Sequence, residues 1–364
     1  MRRFSQSPPT LSVLLALLAA CPAMVARAQA PVALPCAERD TKCAREAALQ
    51  SPVRKKSFWS DALAKPVEQR IGIAPAELVA FLNLDNMADG IGNRPRPPVI
   101  ADDLMADAKA ALANLPPVIK ALLDQKLAGI YFVADLGGTG YTDYAKGGWF
   151  SRDAGFIVLD IDLLARQSAN GWATWKENTP FTADPVFRLE ARIESDDGDN
   201  RRNAIQYILL HELGHILSIG EDVHPRWDLP PNNDSSLASY PFASLSWQID
   251  KAGNGYTSRF DAAFPERKDI VYYFGAKLDG RAMVDVYDRL LKTDFPSLYA
   301  TTRPGDDFAE SFASYVHAVI MNRPWEIRIY QDGKIARVIG SCWKEKRCKE
   351  KRRLLEEFLG LKPN

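Results

Sequence analysis

His211-Glu212-Leu213-Gly214-His215 is the stretch whose residue types and spacing could do chemistry. On a helix, positions i and i+4 lie on one face, so both imidazoles can present nitrogens to a single ion. This is the H-E-x-x-H pattern: two histidines supply zinc ligands, and the glutamate beside them acts as general base toward a water molecule. The chain has four histidines and two stand here, which makes chance a poor explanation. A catalytic zinc ion (Zn²⁺) takes three protein ligands and keeps one position open. The extended motif with a third histidine is absent, because Ser218 and Glu221 occupy its glycine and histidine positions. A downstream carboxylate is therefore expected. Asp306-Asp307-Phe308-Ala309-Glu310 follows a Pro304-Gly305 break and has helical periodicity through Phe308, Phe312, Ala313 and Val316. Its spacing puts Asp306 and Glu310 on one face.

Together these two stretches resemble the gluzincin-type metallopeptidases, and specifically the active sites of anthrax lethal factor and the bacterial Pro-Pro endopeptidases. The resemblance covers about residues 201–220 and 296–317. It implies that a second helix carries an acidic ligand and that another acid, four residues later, holds one of the histidines. In this register Asp306 is the ligand and Glu310 orients a histidine. The reverse assignment stays open, because aspartate stands where that group has glutamate. The resemblance also implies that a tyrosine seven residues before the ligand acid assists the transition state, a position held here by Tyr299.

Several elements must position these groups. Asp199-Asn200 can cap a helix that runs to Ile219 and stops at Gly220. Ile205, Ile208, Leu209, Leu213 and Ile216 form its apolar stripe, and Leu210 and Leu217 make its second half apolar nearly all round, so it reads as a buried helix. Gly214 inside it implies close approach of another backbone. Pro75–Leu82 and 101–127 show helical spacing, with Pro116-Pro117 opening the last helix. Ile130–Val133 and Phe156–Leu159 read as buried strands, and the resemblance implies that the second binds substrate backbone along a sheet edge. Gly137-Gly138-Thr139-Gly140 lacks the features of a phosphate loop and reads as a mobile loop. Pro230–Ser236 has loop composition. Residues 280–292 read as helical, Glu326–Tyr330 and Ile335–Ile339 as a hairpin through Asp332-Gly333, and Lys351–Leu359 as a terminal helix.

The balance of 46 basic and 46 acidic residues points to neither nucleic acid nor an anionic membrane surface as partner. Arg2 and Arg3, the apolar run Leu11–Ala20 and Ala28-Gln29-Ala30 form a secretory signal peptide, cleaved after Ala30. Leu18-Ala19-Ala20-Cys21 also resembles a lipobox, which would leave a lipid anchor at Cys21. The apolar stretch is too short for a comfortable transmembrane span. Export to a bacterial periplasm or cell envelope, or secretion, is the expected destination. Four cysteines remain in an exported chain and suggest two disulfides, with Cys36–Cys43 and Cys342–Cys348 the simplest pairing.

Strands and helices interleave without regular βαβ alternation, so the expected class is α+β. The resemblance implies a zincin-like core with a small mixed sheet, a buried active-site helix and a second helix carrying the acidic ligand. The expected organisation is a signal peptide (1–30), a cysteine-clipped arm (31–70), a helical segment (71–127), a catalytic core (128–325) and a C-terminal hairpin and helix (326–364). The expected function is zinc-dependent endopeptidase action on a peptide or protein substrate, with Glu212 as base. The alternatives are a catalytically silent envelope binding protein on a similar fold and a structural or storage zinc protein. His317 reads as a structural histidine, His224 as a solvated one, and Glu194, Asp196, Asp197 and Asp199 as a solvated acidic turn.

Overall fold

The computed structural model describes residues 34–148, 151–227, 229, 231, 237–250 and 252–362. The expected signal peptide and cleavage site, Cys21 and most of the Pro230–Ser236 loop lie outside the described residues. Pro31–Asn364 group as one unit.

Among the described residues, nine strands form three sheets. A four-stranded mixed sheet contains β1 (Ile71–Ile73), β2 (Leu127–Val133), β3 (Gly140–Ala145) and β4 (Ala154–Asp160), in the order β1-β2-β4-β3. β1, β2 and β4 run parallel, and β3 pairs antiparallel with β4 as an edge strand. Strands β5 (Phe187–Arg192), β8 (Glu326–Gln331) and β9 (Lys334–Gly340) form an antiparallel sheet in the order β5-β8-β9, and β6 (Trp247–Ile249) pairs with β7 (Tyr256–Ser258). The β8–β9 turn is the expected one: Asp332 and Gly333 both have positive φ, as a two-residue hairpin loop requires.

The helices that matter for the site are α1 (Thr41–Leu49), α2 (Ala76–Ala88), α3 (Asp102–Ala113), α4 (Ala169–Asn178), α5 (Arg201–Ser218), α6 (Pro304–Tyr315) and α7 (Lys349–Phe358). The class is α+β, a small mixed sheet with several helices. Side chains alternate across β4 with period two. Phe156 and Val158 pack with Ala44 and Ala48 of α1 and Leu78, Phe81 and Leu82 of α2. Ile157 and Leu159 face the opposite cluster, which holds α3 and α5. The sheet is thus covered on both faces, which explains why β2 and β4 are apolar along their length.

Two expectations change here. Phe156–Leu159 lies inside β4, between β2 and β3, so it offers no free edge; the edge belongs to β3. β3 (Gly-Tyr-Thr-Asp-Tyr-Ala) is polar on its outer part and was not expected as a strand. Its start is the glycine-rich segment: Thr139 Oγ1 accepts from Trp172 Nε1, and the Thr139 carbonyl accepts from Asp160 N–H. The segment therefore forms an ordered entry to β3.

The expected disulfides Cys36–Cys43 and Cys342–Cys348 are both present. Among the described residues, no helix is long and apolar enough to cross a membrane.

Candidate metal centre

Helix α5 begins where the Asn200 side chain accepts from Asn203 N–H, and the chain leaves it through Gly220 at positive φ. The helix is buried over most of its length, so His211 and Glu212 are polar groups in an apolar interior. Burial without partners would be costly. Their partners come from two other elements, α6 and β3.

Helix α6 approaches α5 at Gly214. A Cβ on Gly214 would stand 2.7 Å from Ala309 Cα, so only glycine allows the two backbones this close. That contact brings the second-helix acids to the histidines. His211 Nε2 and His215 Nε2 are 3.3 Å apart, and Asp306 Oδ1 is 3.6 Å from His215 Nε2. One ligand atom from each of the three residues lies within 4.8 Å of the others. Two ligands bound about 2 Å from a tetrahedral zinc ion stand roughly 3.3 Å apart, so the donor set and the nitrogen spacing fit that metal. Burial drives the His215 pKa well below its ordinary value, keeping the imidazole neutral as a ligand must be. The other oxygen of Asp306 accepts from Thr302 Oγ1 at 2.7 Å, leaving Oδ1 for the ion.

Glu310 sits on the far side of His211. It is 1% exposed, and its Oε1 lies 3.1 Å from His211 Nδ1. Lys176 Nζ donates to the same oxygen at 2.6 Å, and Ser297 Oγ donates to Oε2 at 2.8 Å. Burial works to raise the Glu310 pKa, but the Lys176 ammonium and His211 overcome it and hold the carboxyl ionised well below the usual carboxylate range. A carboxylate behind a ligand histidine fixes ring orientation and tautomer. Of the two acids, Asp306 is the one grouped with both histidine Nε2 atoms. Lys176 is itself buried between Glu310 and Glu177, and Glu177 accepts from Tyr272 and Tyr287 hydroxyls.

Glu212 points to β3. Thr142 is opposite Ile157 in the sheet register and so shares its face toward α5. Thr142 Oγ1 donates to Glu212 Oε2 at 2.6 Å. Glu212 Oε1 lies over Gly140, where a Cβ would come within 2.4 Å of it. Burial raises the Glu212 pKa, as suits a group that must take up a proton. The Tyr299 ring centroid is 5.4 Å from that of His211, and Lys176 Nζ lies 4.6 Å from the ring centre.

Two cavities meet at Glu212 and Tyr299. One, of about 180 Å³, is lined by Leu136, Trp172, Ile208 and Phe274. The other, an open groove of about 540 Å³, passes His215, Trp227, Arg303 and Asp306 and reaches Arg45 and Leu49 of α1.

Thr142, Lys176, Ser297, Thr302 and His224 were not expected at the site from sequence. Thr142, Lys176 and His224 arrive on a strand, a helix and a loop, and Ser297 and Thr302 flank the turn before α6, so no common period links them. His224 corrects an expectation: it is buried at 4% exposure rather than solvated, packed near Trp227 and Phe308. The acidic turn is also only partly solvated, since Glu194 is buried and paired with Arg323. His317 is held by the carbonyls of Ile193 and Pro324.

No family model, curated protein or solved structure matches this chain.

Proposed function

We propose that this chain is an exported zinc-dependent endopeptidase with a zincin-like core. The observation that carries the reading is the convergence of His211, His215 and Asp306 on one point, with Glu212 beside them. Two imidazole nitrogens and a carboxylate oxygen gathered this closely are the donor set that a catalytic zinc ion takes.

His211, His215 and Asp306 would hold the ion. Bound zinc supplies Lewis-acid polarisation of a carbonyl and lowers the pKa of water toward about 7. Glu212 has its Oε2 held by Thr142, so Oε1 is the atom that takes a proton from the attacking water. The same carboxyl returns that proton to the leaving amine nitrogen as the peptide bond breaks. The Tyr299 hydroxyl donates to the oxyanion that develops on the carbonyl oxygen. The Gly140–Thr142 part of edge strand β3 lies beside Glu212 and offers its outer backbone to an extended substrate.

Metal analysis and digestion of a mixed peptide library, with and without chelator, test this reading. One zinc per chain, chelator-sensitive cleavage and an inactive, zinc-loaded Glu212→Gln protein are expected. Cleavage that survives in Glu212→Gln overturns the mechanism. A zinc-loaded wild type that cleaves no peptide favours the binding-protein alternative, and a chain that takes up no zinc removes the metal site.

A further inference from the structure

The metal centre uses two of four histidines, and a third, His224, lies against it. Its Nδ1 is 2.7 Å from the Pro225 carbonyl oxygen. A carbonyl only accepts, so Nδ1 carries the proton and Nε2 holds the lone pair. That Nε2 is buried and has no hydrogen-bond partner.

His215 has the complementary deficit. Its Nε2 faces His211 Nε2 and Asp306 Oδ1, so a ligand role makes Nε2 the lone-pair atom and puts the proton on Nδ1. That Nδ1 is also buried and without a hydrogen-bond partner. The two rings border the same bare backbone. A Cβ on Gly305 would stand 3.7 Å from His224 Cε1, 3.9 Å from His215 Cε1 and 4.0 Å from His215 Nδ1. Both rings also lie against Trp227, at centroid distances of 5.9 and 5.4 Å. One orphan donor and one orphan acceptor thus occupy one buried corner.

We propose that His224 is a positioning residue for His215, its Nε2 accepting the His215 Nδ1–H across one water molecule. This rests on the zinc reading above. It gives the two ligand histidines different supports: a buried carboxylate behind His211 and a neutral imidazole behind His215. Ligand histidines need such a partner to fix tautomer and ring angle, and losing it lowers metal affinity by about 10–100-fold.

The test compares zinc dissociation constants, by chelator competition, of the wild-type chain, His224→Phe and His224→Gln. Phenylalanine keeps the ring volume and removes the acceptor; glutamine keeps an acceptor oxygen. The expected result is a 10–100-fold loss for His224→Phe and a loss within about threefold for His224→Gln, at similar melting temperatures of the metal-free proteins. Unchanged affinity in His224→Phe, or equal losses in both variants, overturns the proposal. Should His224→Phe fail to fold, ring ¹⁵N–¹H spectra of the wild-type protein decide. His224 in the Nδ1–H form and an exchange-protected His215 Nδ1–H support the proposal; a protonated His224 Nε2 overturns it. If His215→Ala leaves zinc affinity unchanged, the metal-site reading itself falls, a result distinct from failure at His224 alone.

Discussion

Glu212 has one oxygen held by Thr142 and the other over the bare face of Gly140. A hydrogen bond to a charged acceptor contributes about 1.5–3 kcal/mol, and here it also sets the direction of the free oxygen. Replacing Thr142 by valine keeps the shape and removes the donor. The expected outcome is a fall in kcat of roughly 10-fold or more with zinc affinity unchanged, because Thr142 touches the proposed base and none of the proposed ligands. Steady-state kinetics and chelator titration check this. A variant that instead lost zinc would mean that Thr142 acts on the helix rather than on Glu212.

At the scale of elements, the contact between α5 and α6 assembles the site. Gly214→Ala would put a methyl group within 2.7 Å of Ala309 Cα, a backbone atom that has no rotamer to change. The helices must separate, which costs about 1–3 kcal/mol and also moves Asp306 away from the imidazoles. Lower thermal stability of the metal-free protein and weaker zinc binding are expected together. The end of α6 makes a different prediction. It continues into a π-helical turn, Val316–Ile320, which carries His317. Burial pushes the His317 pKa down to about 4 from an ordinary 6.5. Between those values the unfolded chain binds a proton that the fold refuses. Stability contributed by this group is therefore full above about pH 6.5, declines as pH falls toward 4 and then levels off. The total is about 3 kcal/mol. In urea titrations at pH 7 and pH 4, His317→Gln, which keeps an N–H for the two carbonyls, should show the smaller loss.

Across the whole molecule, the C-terminal helix α7 anchors α6, which carries Asp306, from behind. Lys351 of α7 is fully buried and donates to Asp307 at 2.8 Å, while Trp247 Nε1 donates to the same carboxylate at 3.0 Å. Removing only the cation leaves a buried, uncompensated charge next to Asp306. Lys351→Met should cost about 3–5 kcal/mol, and the double replacement with Asp307→Leu should recover much of it, as read from urea midpoints. The N-terminal arm is equally integrated. Val53 and Trp59 join the core on one face of the sheet, and α1 forms a wall of the open groove. Cleft and ligand helix thus draw on both ends of the described chain.

The local parts of this protein were legible in its residues. The His211–Glu212–His215 triplet lies within one helical turn, so helix geometry alone places its side chains. The apolar surround of α5, the β8–β9 turn and the two short disulfides are likewise interactions between near neighbours in sequence. Gly214 even signalled a close backbone, though not whose. What spacing could not contain was the choice of long-range partners. Phe156–Leu159 and Tyr141–Tyr144 differ in whether a neighbour pairs on both sides, and strand order is decided by crossovers rather than by composition. Thr142, Lys176 and His224 reach the site from a strand, a helix and a loop with no common period. Only packing, through the Gly214–Ala309 contact and the covered sheet, set Asp306 toward the imidazoles and Glu310 behind His211.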